Sequence, residues 1–448
     1  MKKTLKLWML LVIALSIASC TDNSDNPVVY TTLEEALANT HLFSDIQENP
    51  DKSAMDKKKK GELGYLSQYS MFIEQPIDHN QPDGDTFQQR VSILFRGFDR
   101  PTILVTEGYF WSGFGDGEDF GINLNANMVH VEHRNFGESF NQDRGKWEYE
   151  TIAQASADLH AVYQTLKPIF KGKWMSMGTS KSGETSMDYA YYYPNDMDLA
   201  AAFCSPFNVS LDDKRFGDYL FNEANTEEVR NLVKKHIRTA LENGEDGLYK
   251  VCCEQLKQQF PLPSFSEYVY NVFDNFFTIF QYTIPSQHVA AIEDMTQSTE
   301  SFTASICNNI SQNRGMGFYT YYVDCAKEQG FPNPGYDYFA DLLQGTSFKV
   351  EDIWKAYLTE EDQGLEKQYD NSVRRDMLDN FFMNSPIPLL FFYSQCDPWS
   401  ATQPAKLGPN AKMIINPVGI HSPKINDPAY CPADVKQEVM DYIKTYIY

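Results

Sequence analysis

An alternation of strand-like and helix-like segments, broken once by about 180 residues, constrains the fold of this chain more than any other feature. Residues 152–204 show the pattern of helix, strand, helix and strand, and a continuous apolar run at 388–394 resumes it. Strands that alternate with helices form a mostly parallel sheet with helices on both faces. We therefore predict an α/β fold that carries one long insertion.

The predicted elements define the domain boundaries. Strands are expected at 65–73, 86–95, 102–106, 128–132, 174–177, 199–204, 388–394 and 412–415. One helix is expected to begin at 152, a second to end at 192 and a third to span 433–447. We assign 63–205 and 386–448 to the α/β core and 206–385 to a helical cap. Within the cap, residues 265–282 are apolar almost all round a helix, so this helix is predicted to be buried in the cap or to cover a cavity.

The first 19 residues resemble an export signal. Lys2, Lys3 and Lys6 precede an 11-residue, mostly apolar run that is too short to span a bilayer. The following Ile17-Ala18-Ser19-Cys20 resembles the lipobox of bacterial lipoproteins, which implies cleavage before Cys20 and lipidation of Cys20. The alternative is an ordinary secretory signal in which Cys20 is incidental. Both readings export the protein, and the first anchors it by lipid to the bacterial cell envelope, at the outer membrane or cell surface.

Residues 20–62 are polar and are predicted to form a tether with a short leading helix that begins near Thr31. The chain carries 38 Lys and Arg against 61 Asp and Glu, a net charge of −23, which disfavours nucleic acid as a partner. Seven cysteines remain besides Cys20, and no C-x-x-C spacing suggests structural zinc. One or two disulfides within 252–325 are possible.

The turn after the strand at 174–177 indicates a catalytic nucleophile. It contains Gly178-Thr179-Ser180-Lys181-Ser182-Gly183, in which Ser180 lies between a strand and a helix and two residues after a glycine. This is the pattern of the nucleophile elbow, although Ser182 occupies the second glycine position of G-x-S-x-G. The alternative is that Ser180 only caps the helix.

A serine nucleophile needs a base and an acid that orients the base. Asp397 directly follows the apolar strand at 388–394, and His421 follows the strand at 412–415. Alone, Asp397 could be a turn residue and His421 an ordinary loop histidine. Their order, each after a predicted strand, favours a Ser180, Asp397 and His421 triad. The oxyanion hole is predicted to use the amides of Lys181 and Tyr109, with Gly108 as the alternative to Tyr109.

Five ordered motifs resemble the secreted serine tripeptidyl aminopeptidase family, a relative of the prolyl carboxypeptidase and dipeptidyl peptidase group. They are T-E-G-Y at 106–109, V-E-H-R-N-F-G-E-S at 131–139, W-M-S-M-G-T-S-K-S-G-E-T at 174–185, C-D-P-W-S at 396–400 and G-I-H-S-P at 419–423. The resemblance implies an α/β-hydrolase core with a helical cap, no metal or cofactor, and removal of short peptides from free N-termini. Members of that family usually carry glycine at the position of Ser182.

An aminopeptidase must bind the ammonium group of its substrate, which requires carboxylates in the cleft. Glu107, Glu132 and Glu138 lie in the motifs nearest the predicted site, and Glu107 and Glu132 are the predicted substrate-binding residues. The alternative for Glu132 is a structural ion pair with Arg134. Two other functions compete with the peptidase: an esterase or lipase of the same fold, and a non-catalytic lipoprotein that binds peptides or glycans. The sequence gives no indication of oligomeric state.

Overall fold

A computed structural model describes residues 30–48, 64–111, 113, 118–140, 147–257 and 261–448. In these residues nine strands form one sheet in the order β1-β2-β3-β5-β4-β6-β7-β8-β9. The strands are β1 Phe43–Glu48, β2 Ser67–Pro76, β3 Thr86–Phe95, β4 Thr102–Thr106, β5 Asn127–Val131, β6 Trp174–Thr179, β7 Leu199–Phe203, β8 Leu389–Ser394 and β9 Ala411–Asn416.

The sheet is antiparallel at one end and parallel through the rest. β1, β2, β3 and β5 pair antiparallel, whereas β5, β4, β6, β7, β8 and β9 pair parallel. The carboxyl ends of the parallel strands therefore meet at one edge, where loops from distant parts of the sequence come together. This strand order, with helices on both faces, confirms the predicted α/β-hydrolase fold.

Helices cover both faces of the sheet and build the cap. They are α1 Leu33–Ala38, α2 Glu118–Asn123, α3 Ile152–Leu166, α4 Lys181–Tyr192, α5 Arg215–Asn222, α6 Glu227–Leu241, α7 Leu248–Leu256, α8 Phe265–Tyr282, α9 His288–Met295, α10 Thr299–Asn313, α11 Tyr319–Asp324, α12 Ala340–Leu343, α13 Ile353–Tyr357, α14 Ser372–Asp376, α15 Phe382–Asn384 and α16 Ala433–Ile447. The apolar sides of α3 and α4 pack on one face of the sheet, and those of α2 and α16 pack on the other.

The cap has its own hydrophobic core, which is built around α8. Ser264 caps the start of this helix by accepting a hydrogen bond from the Glu267 amide at 3.1 Å. Of the aromatic residues on α8, only Tyr282 is exposed, so the aromatic stripe is core of the cap. The Cys252 sulfur on α7 lies 2.9 Å from the Cys307 sulfur on α10. A disulfide within 252–325 would therefore join these two residues.

Two boundaries differ from the predicted ones. β1 lies inside 20–62, which the sequence predicted as a tether, and it extends the sheet by pairing with β2. Its side chains are all exposed or half-buried, so it lacks the buried face that would have marked it as a strand. At the other boundary, Met377 and Phe382 pack on the sheet with Leu389, so residues 372–384 belong to the core and not to the cap.

The leading helix α1 lies where the sequence places it, with Thr32 as its cap. The predicted signal peptide and Cys20 lie outside the described residues. Among the helices that the structure describes, none combines the length and the apolar character that a membrane crossing requires.

Candidate active site

The parallel strands bring the predicted catalytic residues to one edge of the sheet. Ser180 follows β6, Asp397 follows β8, and His421 lies in the loop after β9. Tyr109 follows β4, which pairs directly with β6. Residues that are more than 300 positions apart in sequence therefore belong to one cluster of loops.

The turn at Ser180 has the strained geometry of a nucleophile elbow. Ser180 has φ 61° and ψ −132°, a backbone conformation that residues other than glycine rarely adopt. A Cβ atom on Gly178 would lie 2.1 Å from Ser182 Oγ, and one on Gly183 would lie 1.9 Å from Ser205 Oγ. Both positions therefore require glycine, and the turn can be this tight only with small neighbours.

The two serines of the turn have different roles. Ser180 occupies the cap position of α4, but its side chain makes no capping hydrogen bond, so the capping alternative is wrong. Its hydroxyl contacts the phenol of Tyr109 instead. Ser182 is buried, and its hydroxyl donates to the Thr106 carbonyl at 2.5 Å, while the Thr106 hydroxyl donates to the Ser182 carbonyl at 2.8 Å. Ser182 thus fastens the turn to β4.

Asp397 and His421 form a hydrogen-bonded pair. His421 Nδ1 lies 2.7 Å from Asp397 Oδ2, and the Asp397 side chain is fully buried. The amide of Trp399 donates to the other Asp397 oxygen at 3.2 Å, which fixes the carboxylate. The backbone amide of His421 donates to the Gln281 carbonyl at 2.8 Å, so the cap helix α8 holds the histidine loop. This is the arrangement in which an acid orients an imidazole base.

Cys204 lies beside this pair. Its sulfur and the ligand atoms of Asp397 and His421 lie within 4.8 Å of one another, and within the described part of the chain no other cluster of three such side chains has this spacing. The hydrogen bond between Asp397 and His421 already engages both of those residues. Burial and the nearby Asp397 charge raise the pKa of the Cys204 thiol well above its ordinary value.

The loop after β4 packs directly against the nucleophile turn. A Cβ on Gly108 would lie 2.5 Å from the Ser182 nitrogen and 2.7 Å from the Lys181 carbonyl carbon, so the two backbones touch. Among the described residues, neither the Tyr109 amide nor the Lys181 amide donates to another backbone carbonyl. These two touching segments carry the amides that the sequence predicts for the oxyanion hole.

Tyr109 contributes a side chain as well as its backbone, which the sequence analysis missed. Its ring packs edge-on against Phe136 and Phe318, with centroids 5.8 Å and 5.9 Å away. Burial raises the pKa of the Tyr109 phenol well above its ordinary value, so the hydroxyl stays protonated and able to donate a hydrogen bond near Ser180. The sequence feature that could have indicated this role is the position of Tyr109 in the T-E-G-Y motif at the end of β4.

The predicted carboxylates fall into different environments. Glu107 lies 2.8 Å from His130 Nδ1 and is 22% exposed, whereas Glu138 is largely exposed and pairs with Arg90 at 2.9 Å. Glu132 is buried, and its oxygens accept the amides of Trp111 and Ser139 at 2.8 Å and 2.7 Å. Glu132 therefore orders its own loop, and its role in substrate binding stays a prediction.

The proposed ion pair between Glu132 and Arg134 is wrong. Both oxygens of Asp158, on α3, accept hydrogen bonds from the Arg134 guanidinium at 2.7 Å. Glu132, Arg134 and Asp158 are all buried. The guanidinium also donates to the Ile77 and Tyr149 carbonyls. This bidentate pair holds the E-H-R segment against α3 and leaves Glu132 to the loop amides.

A cluster of buried charges lies behind the nucleophile turn. Arg374, on α14, is fully buried between Glu184 and Asp188 of α4, at 2.9 Å and 3.1 Å. Lys181, the residue after Ser180, lies 3.1 Å from Asp324 of the cap. These ion pairs join α4 to α14 and to the end of α11.

Two carboxyl groups in this cluster have pKa values raised by burial. The pKa of Glu184 rises to about 8 although Arg374 opposes the shift, and the charges of Asp188 and Asp324 raise it further. The pKa of Glu328 rises to about 7, again mainly through burial, although the Ile152 amide donates to it at 2.7 Å and lowers the value. Both groups therefore carry protons in the folded chain at pH values where the unfolded chain has lost them.

The protein should lose stability as the pH rises from about 5 to 8. A carboxyl group with a higher pKa in the folded chain binds more protons when folded, so the free energy of unfolding falls between the unfolded pKa near 4.5 and the folded values near 7 and 8. Urea denaturation at about pH 5, 6.5 and 8 measures this slope. The Glu328→Gln variant keeps an acceptor for the Ile152 amide but does not titrate, so its slope up to pH 7 should be smaller. Equal slopes in both proteins would contradict the assignment.

Comparisons with known proteins identify the family of this chain. The family model for PS-10 peptidase S37 matches residues 47–431. A prolyl tri/tetrapeptidyl aminopeptidase of Streptomyces mobaraensis is 28% identical over 357 residues, which are 76% of this chain and 71% of the relative. Among solved structures, a proline iminopeptidase of Mycobacterium smegmatis aligns at 12% identity over 84% of this chain and 98% of its own, with a TM-score of 0.42.

An α/β fold family hydrolase of Bacillus anthracis aligns at 14% identity over 84% of this chain and 97% of its own, with a TM-score of 0.37. The fold assignment rests on the strand order and not on these two alignments. The family model covers most of the chain, including the nucleophile turn, Asp397 and His421. The chain belongs to the PS-10 peptidase S37 family.

Proposed function

We propose that this protein is a serine aminopeptidase that releases short peptides from the free N-termini of oligopeptides. The match of the peptidase S37 family to residues 47–431 carries the proposal. The relative from Streptomyces mobaraensis is named as a prolyl tri/tetrapeptidyl aminopeptidase, which supports products of three or four residues and a preference for proline. Membership in a peptidase family disfavours both the esterase or lipase and the non-catalytic lipoprotein.

In the proposed mechanism Ser180 Oγ attacks the carbonyl carbon of the scissile peptide bond. His421 takes the hydroxyl proton and then gives it to the leaving amine, while Asp397 orients the imidazole. The amides of Lys181 and Tyr109 donate to the oxyanion of the tetrahedral intermediate. Water then hydrolyses the acyl-enzyme by the same steps. The 2.7 Å hydrogen bond between Asp397 and His421 supports these roles.

Glu107 is the proposed partner of the substrate ammonium group. It directly follows β4, two residues before Tyr109, and its carboxylate is partly exposed. His130 holds one carboxylate oxygen at 2.8 Å, which orients the group. A carboxylate that is partly desolvated and fixed by a neighbour can bind an ammonium group more strongly than a mobile surface carboxylate.

A substrate panel tests the proposed function. The wild-type protein is incubated with a tetrapeptide amide that carries proline at its third position, with the N-acetylated form of that peptide, and with a short-chain p-nitrophenyl ester. We expect mass spectrometry to find a tripeptide released from the free N-terminus only. Cleavage of the acetylated peptide at an equal rate would contradict an aminopeptidase, and ester hydrolysis without peptide cleavage would favour the esterase.

The protein is further proposed to be exported and anchored by lipid at Cys20. The basic residues, the short apolar run and Ile17-Ala18-Ser19-Cys20 support this proposal. In a bacterial host the wild-type chain should partition into the detergent phase, and the Cys20→Ala variant should not. Equal partitioning of the two chains would contradict lipidation at Cys20.

A further inference from the structure

One segment of the cap contacts both residues whose amides form the proposed oxyanion hole. The rings of Phe318 and Tyr321 lie 5.9 Å and 5.8 Å from the ring of Tyr109, measured between centroids. Three residues after Tyr321, the Asp324 carboxylate lies 3.1 Å from Lys181 Nζ. Residues 318–324, which are α11 and the residue before it, therefore pack on the side chains of both residues from the cap side.

The ion pair between Lys181 and Asp324 is buried. The Lys181 side chain is 1% exposed and that of Asp324 is 7% exposed. The Lys181 ammonium also lies over the rings of Tyr109 and Phe136, at 5.7 Å and 5.2 Å from their centroids. A buried ammonium group needs an opposite charge, and among the described residues Asp324 forms the one ion pair of Lys181.

The position of the Lys181 side chain affects its backbone. Lys181 is the first residue of α4, immediately after the strained Ser180, and Gly108 packs against its main chain. An amide donor stabilises an oxyanion only when it lies within hydrogen-bond distance of the oxygen that develops the charge. A small rotation of the Lys181 peptide would therefore cost more in the transition state than in substrate binding.

We propose that Asp324 is a positioning residue of the oxyanion hole. Through the Lys181 side chain it holds one amide donor, and the neighbouring Phe318 and Tyr321 hold Tyr109, which carries the other. The cap thus sets the distance between the two donors. This inference rests on the proposed role of Ser180 as the nucleophile.

The Asp324→Asn variant tests the proposal, because it keeps the shape of the side chain and removes its charge. We expect kcat for the tetrapeptide amide to fall about 10-fold while KM changes less than 2-fold. The inhibition constant of a peptide boronic acid, which forms a tetrahedral adduct with an oxygen in the oxyanion hole, should rise by the same factor as kcat/KM falls. A general change in the fold would not make the inhibition constant of the boronic acid and kcat/KM change by the same factor.

A matched control is the Glu267→Gln variant. Glu267 forms a buried ion pair with Arg314 at 2.6 Å inside the cap, away from Tyr109 and Lys181. This variant should lose thermal stability but keep kcat and the inhibition constant of the boronic acid. A second test variant is Phe318→Ala, which removes a partly exposed ring from Tyr109 and threatens folding less. It should lower kcat several-fold with KM unchanged.

Wild-type kcat and wild-type boronic acid inhibition in a folded Asp324→Asn variant would overturn the proposal. A Phe318→Ala variant with a raised KM and an unchanged kcat would also overturn it. All variants are also assayed on the p-nitrophenyl ester, whose hydrolysis uses the oxyanion hole but no peptide N-terminus. If the wild type hydrolyses only the ester, the aminopeptidase proposal fails, and the ester rates of the variants still decide the role of Asp324.

Discussion

The Ser180→Ala variant should lose peptide cleavage almost completely, with kcat about 10⁴- to 10⁶-fold below that of the wild type. The substitution removes the only atom that can form the acyl-enzyme in the proposed mechanism. The backbone at Ser180 is already strained at φ 61°, and its hydroxyl makes no capping bond, so alanine removes chemistry without removing a structural contact of the helix start. Single-turnover assays measure the loss of catalysis, and the melting temperature measures any change in stability.

Ser182→Ala is the matched control, because it removes a second hydroxyl from the same turn. The Ser182 hydroxyl is buried and donates to the Thr106 carbonyl. Its loss should lower the free energy of unfolding by about 1–2 kcal/mol and leave kcat within about 10-fold of the wild type. If Ser182→Ala abolished cleavage while Ser180→Ala remained active, the assignment of the nucleophile would be wrong.

The Gly108→Ala variant should lower kcat by about 10²- to 10³-fold with a much smaller change in KM. The added methyl group would lie 2.5 Å from the Ser182 nitrogen and 2.9 Å from Lys181 Cγ, so the β4 loop and the nucleophile turn must move apart. That movement separates the two proposed amide donors, which act only when charge develops on the substrate oxygen. Steady-state kinetics on the tetrapeptide amide measure both constants.

Gly317→Ala is the control for an added methyl group in the cap segment beside Tyr109. Its Cβ would lie 3.3 Å from Cε1 of the partly exposed Phe110, a ring that can shift by a few tenths of an ångström. We expect kcat and KM close to those of the wild type. Equal rates for Gly108→Ala and the wild type would show that the two loops need not touch for catalysis.

Local sequence was sufficient to predict the fold and to propose the three members of the triad. Ser180 lies in a tight turn between β6 and α4. The glycines that this turn requires, Gly178 and Gly183, lie within three residues of Ser180 in the chain. Asp397 and His421 each follow a strand, and in a parallel sheet strand ends converge. The prediction of their proximity therefore needed only the order of strands, and their 2.7 Å hydrogen bond agrees with it.

The partners of the charged residues could not be predicted in the same way. Glu132 and Arg134 are two residues apart, which suggested a pair, yet Arg134 binds Asp158 on α3 and Glu132 binds loop amides. β1 was missed for a related reason: its side chains have no buried face, and only its backbone pairing with β2 makes it a strand. Such choices depend on which groups meet in space and not on the residues nearby in sequence.

The sequence by itself therefore determined the α/β-hydrolase fold, the interrupting cap and the position of Ser180, because periodicity, turn chemistry and strand order are properties of neighbouring residues. Only the tertiary structure decided what surrounds the proposed nucleophile: the contact of Gly108 with Lys181, the phenol of Tyr109 and the ion pair from Lys181 to Asp324. The physical reason is burial. A buried charge must find its partner wherever the packed cap and core place one, and no local pattern encodes that position.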